Sequence, residues 1–229
     1  MRDHPHQGHQ EHQEQALTIL GAGRAGTSLA RAAAAVELPV RIASTRPPAA
    51  MRLHLAQYAP RATAVDAREV AGAPLVVLMV PQEDLDSVDP AWLDGTVLVD
   101  ATNRWDGEPL PAWLQAGLGA DRSSSEAVAG RFTGATVVKA LNHISHWDLD
   151  TAGRGQAPGG TDRRGLGVAS DSPEAAAAVG QLISRLGLSP VLLPGLAAGR
   201  VLEPGGPVFN LPLSAADLAR LTGGRVDVD

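Results

Sequence analysis

Six consecutive residues constrain this chain more than any others: Gly21-Ala22-Gly23-Arg24-Ala25-Gly26. They follow a short aliphatic run, Ala16–Leu20, and open onto Thr27–Val36, a stretch rich in alanine, the strongest helix former. The spacing predicts a strand, a tight turn and a helix packed back along that strand. Gly21 permits the turn, Gly23 keeps the backbone bare, and Gly26 lets helix and strand approach closely. The helix start then offers unpaired N–H groups and the positive end of its macrodipole, a setting that favours an anion. In this context the G-x-G-x-x-G pattern reads as a dinucleotide-binding turn.

The rest of the chain repeats the alternation. Strands are expected over 39–44, 62–65, 74–80, 95–102, 135–141, 165–170 and 189–195, and helices over 51–59, 123–132 and 173–187. Pro74–Val80 is apolar throughout, as befits a strand buried on both faces. Ser123-x-x-Glu126 forms a capping box, and Ser172-Pro173-Glu174 supplies an N-cap, a first-turn proline and an acid. Strands alternating with helices imply βαβ crossovers, hence an α/β fold of Rossmann type with a doubly wound, mainly parallel sheet. Three regions are expected: a disordered histidine-rich tail (1–15), a dinucleotide-binding domain (16–140) and a small C-terminal segment (141–229). The tail carries four of the seven histidines and no aliphatic side chain after Met1. A long loop over 150–164 has apolar side chains only from alanine, a pattern of lids or disorder.

The end of the second strand selects the dinucleotide. A carboxylate there would bind a free ribose 2′-hydroxyl. Ser44-Thr45-Arg46 stands there instead, and these side chains suit a 2′-phosphate. NADP(H) is therefore expected over NAD(H), held by Gly21, Gly23, Arg24, Ala25, Gly26, Ser44, Thr45 and Arg46. The next strand ends bring Val80, Pro81 and Gln82, then Asn103, to the nicotinamide side, because ligands sit at the carboxyl ends of such strands.

Composition excludes several classes. Cysteine is absent, so disulfides, thiolate metal sites and cysteine nucleophiles drop out. No paired carboxylates, Ser/His/Asp set or metal-ligand spacing stands out. A net charge of −6 disfavours nucleic acid and anionic membranes as partners. No apolar run approaches the roughly 20 residues of a membrane span, and the N-terminus lacks a signal peptide's apolar core. A cytoplasmic protein with a small-molecule partner is expected. Aromatics are 3% of residues, so the core must be aliphatic.

The segments GAGRAG, STR, VPQ, DATNRW, SSSEAVAGRF, VVKALNHISHWDL and VLEPG occur in an order that resembles the NADPH-dependent F420 reductase-like family, over Leu17–Leu211. The resemblance implies hydride transfer between NADP(H) and the deazaflavin coenzyme F420, with the two rings stacked, and a homodimer. It carries dinucleotide contacts onto Gly21, Gly23, Arg24, Gly26, Thr45, Arg46 and Pro81. It also places Ala140–His143 beside the acceptor. Asn142 and His143 are therefore the candidate catalytic residues, His143 as hydrogen-bond partner or proton donor to the acceptor ring. Trp147 is expected in the core or at a subunit contact. The chain departs from the pattern in a shorter C-terminal apolar segment and in the glycine-rich loop 150–164. Alternatives are an NADPH-dependent reductase of another small acceptor, such as a quinone, flavin or ferric chelate, and a non-catalytic NADP(H) sensor.

Overall fold

A computed structural model describes residues 16–119, 122–151 and 163–227. The histidine-rich tail and most of the glycine-rich loop lie outside the described residues.

The elements in chain order begin with β1 (Leu17–Leu20), α1 (Arg24–Ala35), β2 (Val40–Ala43), α2 (Pro48–Tyr58), β3 (Ala62–Ala64) and β4 (Leu75–Leu78). Next come β5 (Val97–Asp100), α3 (Ala112–Gly117), α4 (Ser124–Arg131), β6 (Thr136–Lys139) and α5 (His146–Thr151). The chain closes with β7 (Gly165–Val168), α6 (Pro173–Arg185), β8 (Ser189–Leu192), α7 (Ala215–Thr222) and β9 (Arg225–Val226). Short 3-10 segments fill several connections, among them Gln82–Ser87 after β4 and Leu196–Leu202 after β8.

Six strands form one parallel sheet in the order β3-β2-β1-β4-β5-β6, the doubly wound Rossmann arrangement expected from the alternation. Successive side chains leave a strand on opposite faces. Val77, Val99 and Val138 accordingly meet α1 and α6 in one core, while Val76, Leu78, Leu98 and Val137 face α4 and the 3-10 segments in another. Both faces are covered, so the inner strand β4 is aliphatic throughout, without the polar alternation of a one-sided sheet.

A second sheet, β7-β8-β9, is mixed: β7 and β8 run parallel and β9 antiparallel. It abuts the edge of the first sheet through a pair of backbone hydrogen bonds between Lys139 and Ala169. The region after residue 141 has a small core of its own around Val191, Leu202 and Leu218. Its helix α6 nevertheless buries Ala175, Val179 and Ile183 in the same core as β1 and β2.

The structure adds helices that the spacing does not suggest, α3 and α5, and folds the short C-terminal apolar segment into α7. Five of the six residues of α5 are polar or aromatic, and Leu149 is its buried anchor. Trp147, expected in the core or at a contact, is 73% exposed and lies against the His146 ring, tilted by 36° with centroids 4.9 Å apart. Its helix presents Leu149 inward, which leaves Trp147 on the outer side. Among the described residues no helix is long and apolar enough to cross a membrane.

Candidate functional site

The carboxyl ends of β1, β2, β4, β5 and β6 open into one cleft of about 920 Å³. Gly21, Gly23, Arg24, Ala25, Ser44, Thr45, Arg46, Val80, Pro81, Asn103 and Asn142 all line it. Three of the expected site residues do not: Gly26, Gln82 and His143.

The glycine turn has the geometry its sequence implies. Gly21 holds φ +127°, and a Cβ there would stand 2.4 Å from the carbonyl oxygen of Met79. A Cβ on Gly26 would stand 1.9 Å from the carbonyl oxygen of Gly21, so Gly26 is the packing glycine beneath the turn and not a lining residue. A Cβ on Gly23 would meet nothing within 4 Å; the space over it is open. Gly23 is also the N-cap of α1, with no side-chain cap and no acid in the first turn. The first amides of α1 thus have neither an internal acceptor nor a competing carboxylate, the condition for holding a phosphate. From α2, His54 Nε2 hydrogen-bonds the Ala22 carbonyl oxygen at 2.8 Å and steadies the loop.

At the end of β2, Ser44 Oγ accepts the Arg46 backbone N–H at 3.1 Å, a turn that leaves Thr45 and Arg46 facing the cleft. A side pocket of about 400 Å³ continues past Arg46 to Arg68, Asp66 and Trp92. The one carboxylate there, Asp66, is already committed to the capping box of the segment that follows it and to Arg68 at 3.5 Å. The residues present therefore fit a dinucleotide, and the β2 end suits one that carries an extra phosphate.

Behind the far wall runs a buried polar network that no motif announces. Asp100 and Lys139 face each other in register on β5 and β6, both fully buried, with Nζ 3.4 Å from Oδ2. Lys139 Nζ also donates to the Thr102 carbonyl oxygen at 2.6 Å. Asp100 accepts from Thr102 N (3.0 Å), Thr102 Oγ1 (2.6 Å) and Ser125 Oγ (2.5 Å). Gln82 belongs to this network. Fully buried, it donates through Nε2 to Thr102 Oγ1 at 2.9 Å and Ser124 Oγ at 3.3 Å. It therefore fastens the loop after β4 to the loop after β5 from behind, where sequence position alone had put it in the cleft. Glu203 draws the C-terminal region in, accepting from Ser123 Oγ, Ser124 N and Ser124 Oγ at 2.8–2.9 Å.

His143 also lies behind the wall. It is 1% exposed, and its Nε2 accepts the Gly167 backbone N–H at 3.2 Å. Burial, then the charges of Arg164 and Lys139, push its pKa down to about 3 from 6.5. A neutral ring turned toward β7 is not placed to give a proton to a bound ring, and this geometry corrects the proton-donor expectation. It has a measurable consequence. Unfolding frees His143 to take up a proton, so stability is complete above about pH 6.5 and falls as pH is lowered toward 3. Near pH 5 the slope from this one group approaches about 1.4 kcal/mol per pH unit. His143→Gln should flatten the stability profile between pH 6 and 5, as read by urea unfolding; an unchanged slope would contradict the assignment.

The cleft also gathers residues far apart in sequence: Glu83, Trp105, Glu108, Ile144, His146, Phe209 and Asn210. Trp105 and Phe209 meet edge to face with centroids 5.8 Å apart. The Glu108 carboxyl is raised above its ordinary range by desolvation and by the charge of Glu83. Trp105 in DATNRW and Ile144 and His146 in VVKALNHISHWDL fall in the segments that carry the resemblance, whereas Glu83, Glu108 and Phe209 carry no motif. No group of His, Cys, Asp and Glu suited to a metal ion occurs among the described residues.

A Rossmann sheet whose strand ends and glycine turn line one cleft, joined there by residues 142–146 and 209–210, fits an NAD(P)-binding oxidoreductase. Comparison with known proteins agrees. A family model described as NADP oxidoreductase, coenzyme F420-dependent, matches residues 16–104. A hypothetical protein of Sinorhizobium meliloti is similar at 30% identity, over 87% of this chain and 95% of that one, with a TM-score of 0.73. This chain belongs to the coenzyme F420-dependent NADP oxidoreductase family. A protein of Arthrobacter sp. FB24 described as a candidate F420-dependent NADP reductase is 24% identical over 87% of this chain and 99% of that one, TM-score 0.67. An Aspergillus terreus imine reductase, solved with NADPH4 and dibenz[c,e]azepine, shares the fold at 19% identity over 91% of this chain and 61% of its own, TM-score 0.55. No curated protein matches.

Proposed function

We propose that this chain transfers hydride between NADPH and a flavin-like ring, coenzyme F420 first among the candidates. The observation that carries the reading is the two-part lining of one cleft: a bare glycine turn with Ser44, Thr45 and Arg46, and aromatic and strand-end residues that include Trp105, Asn103 and Phe209. Bound NADPH supplies the hydride from its reduced nicotinamide. The amides at the start of α1 hold the pyrophosphate, and Arg46 with its two hydroxyl neighbours holds the 2′-phosphate. Val80, Pro81 and Asn103 form the wall on the nicotinamide side. Trp105, Ile144 and Phe209 offer flat apolar surface to an acceptor ring, and the region from residue 141 onward closes that side. Such a transfer depends on alignment more than on acid–base groups. The buried network behind the wall suits that demand, because it fixes the loops after β4, β5 and β6 relative to one another.

Two measurements test the proposal. The unmodified protein should bind NADPH about 10- to 100-fold more tightly than NADH, the range of one charge-assisted contact to a phosphate, and Arg46→Ala should bring the two close to parity. Equal affinities in the unmodified protein would refute the preference. For the acceptor, the protein is mixed with NADP+ and reduced F420 and the deazaflavin absorbance is followed; absence of turnover in both directions would refute F420.

A further inference from the structure

Among the residues lining the cleft, two buried side-chain atoms have no hydrogen-bond partner, Asn142 Oδ1 and Glu83 Oε2. Both are acceptors. Asn142 is the more firmly held, at 3% exposure. Its Nδ2 donates to the Leu202 carbonyl oxygen at 2.6 Å and to Asn103 Oδ1 at 3.1 Å, which uses both hydrogens. The amide cannot be turned over, since Oδ1 would then face the Leu202 carbonyl oxygen. Asn103 is fixed in the same way, because its own Nδ2 donates to the Asn142 carbonyl oxygen at 2.8 Å. Leu141, directly before, sits at φ +62°, a left-handed conformation that a leucine adopts only where its surroundings impose it. The chain thus accepts backbone strain beside a side chain whose donors are all spent on protein and whose acceptor is left over. Buried acceptors in native proteins find a partner, and the protein side of this one is full.

We infer that Asn142 Oδ1 accepts a hydrogen bond from an amide or imide N–H of a ring bound in the cleft. Two sources share that chemistry: the carboxamide of the nicotinamide, and the imide of a flavin-like acceptor, the second resting on the function proposed above. Glu83 Oε2 adds the same requirement, a ligand that brings donors. Quinones bring oxygen acceptors only, so they leave Asn142 desolvated and unpaired. Asn142 is on this account a binding and orienting residue, without a part in proton transfer.

The test is equilibrium binding to the full chain. Arm one compares 5-deazariboflavin with its N3-methyl analogue in the presence of NADP+; arm two compares NADP+ with its 3-acetylpyridine analogue, which carries a methyl ketone in place of the amide. One analogue should bind about 10- to 100-fold more weakly than its parent, and that difference should vanish in Asn142→Ser. The arm that shows the loss names the source. If both analogues match their parents within about twofold, or if the loss persists in Asn142→Ser, the inference is overturned. Should that variant not fold, the two arms on the unmodified protein still decide. If deazariboflavin does not bind at all, the flavin-like reading falls while the dinucleotide arm alone decides the role of Asn142.

Discussion

Replacing Lys139 with methionine is expected to destabilise the protein by about 3–5 kcal/mol, the usual cost of stranding one member of a buried ion pair. Lys139 and Asp100 are both fully buried, so the carboxylate left behind in Lys139→Met has no solvent to turn to. Its remaining donors, Thr102 and Ser125, are neutral and offset only part of the loss. The pair itself is not thereby a strong net stabiliser, because two charges were first taken out of water to form it. This yields a second expectation: the double variant Lys139→Met, Asp100→Asn should recover much of the lost stability in urea unfolding at pH 7. It should not recover the site. Lys139 Nζ also holds the Thr102 carbonyl, next to Asn103 in the cleft wall, so NADPH should bind several-fold more weakly to both variants. A single-variant loss below about 1 kcal/mol would mean that the pair is solvated in solution.

The same pair shows where sequence reading stops. Strands at 75–78 and 97–100 and the glycine turn are legible because local pattern decides them: apolar runs long enough for one strand, glycines where backbones collide. Helix starts at 124 and 173 are legible for the same reason. Ser123 Oγ accepts the Ser125 N–H at 3.2 Å and Glu126 returns to Ser123 N at 2.8 Å, as the capping box implies. That Asp100 meets Lys139 depends on the register of β5 with β6, which a separation of 39 positions hides. Gln82 and His143 occupy strand ends, where ligand-facing residues concentrate, but a strand-end address does not fix a side chain's direction. Gln82 turns inward because Thr102 Oγ1, having given its hydrogen to Asp100, is left as an acceptor. His143 turns inward because the Gly167 amide needs one. Phe209 and His54 reach the cleft from elements distant in sequence, so only the assembled fold brings them in.

The glycine turn allows the sharpest separation of fold from binding. Gly23→Val should leave stability within about 1 kcal/mol of the parent, because Gly23 has φ −79°, open to any residue, and its Cβ would meet nothing within 4 Å. The new side chain occupies the open space above the start of α1, so NADPH affinity should fall by about 100-fold or more. Gly26→Ala should do the reverse in kind. Its single methyl would lie 1.9 Å from the Gly21 carbonyl oxygen, backbone that cannot step aside without moving α1 off β1. A loss of about 1–3 kcal/mol is expected, as for other overpacked sites, and any fall in affinity should follow from the displaced helix. Calorimetric titration with NADPH and thermal unfolding, run on both variants, distinguish the two effects. If Gly23→Val binds NADPH as the unmodified protein does, the dinucleotide does not lie over this turn.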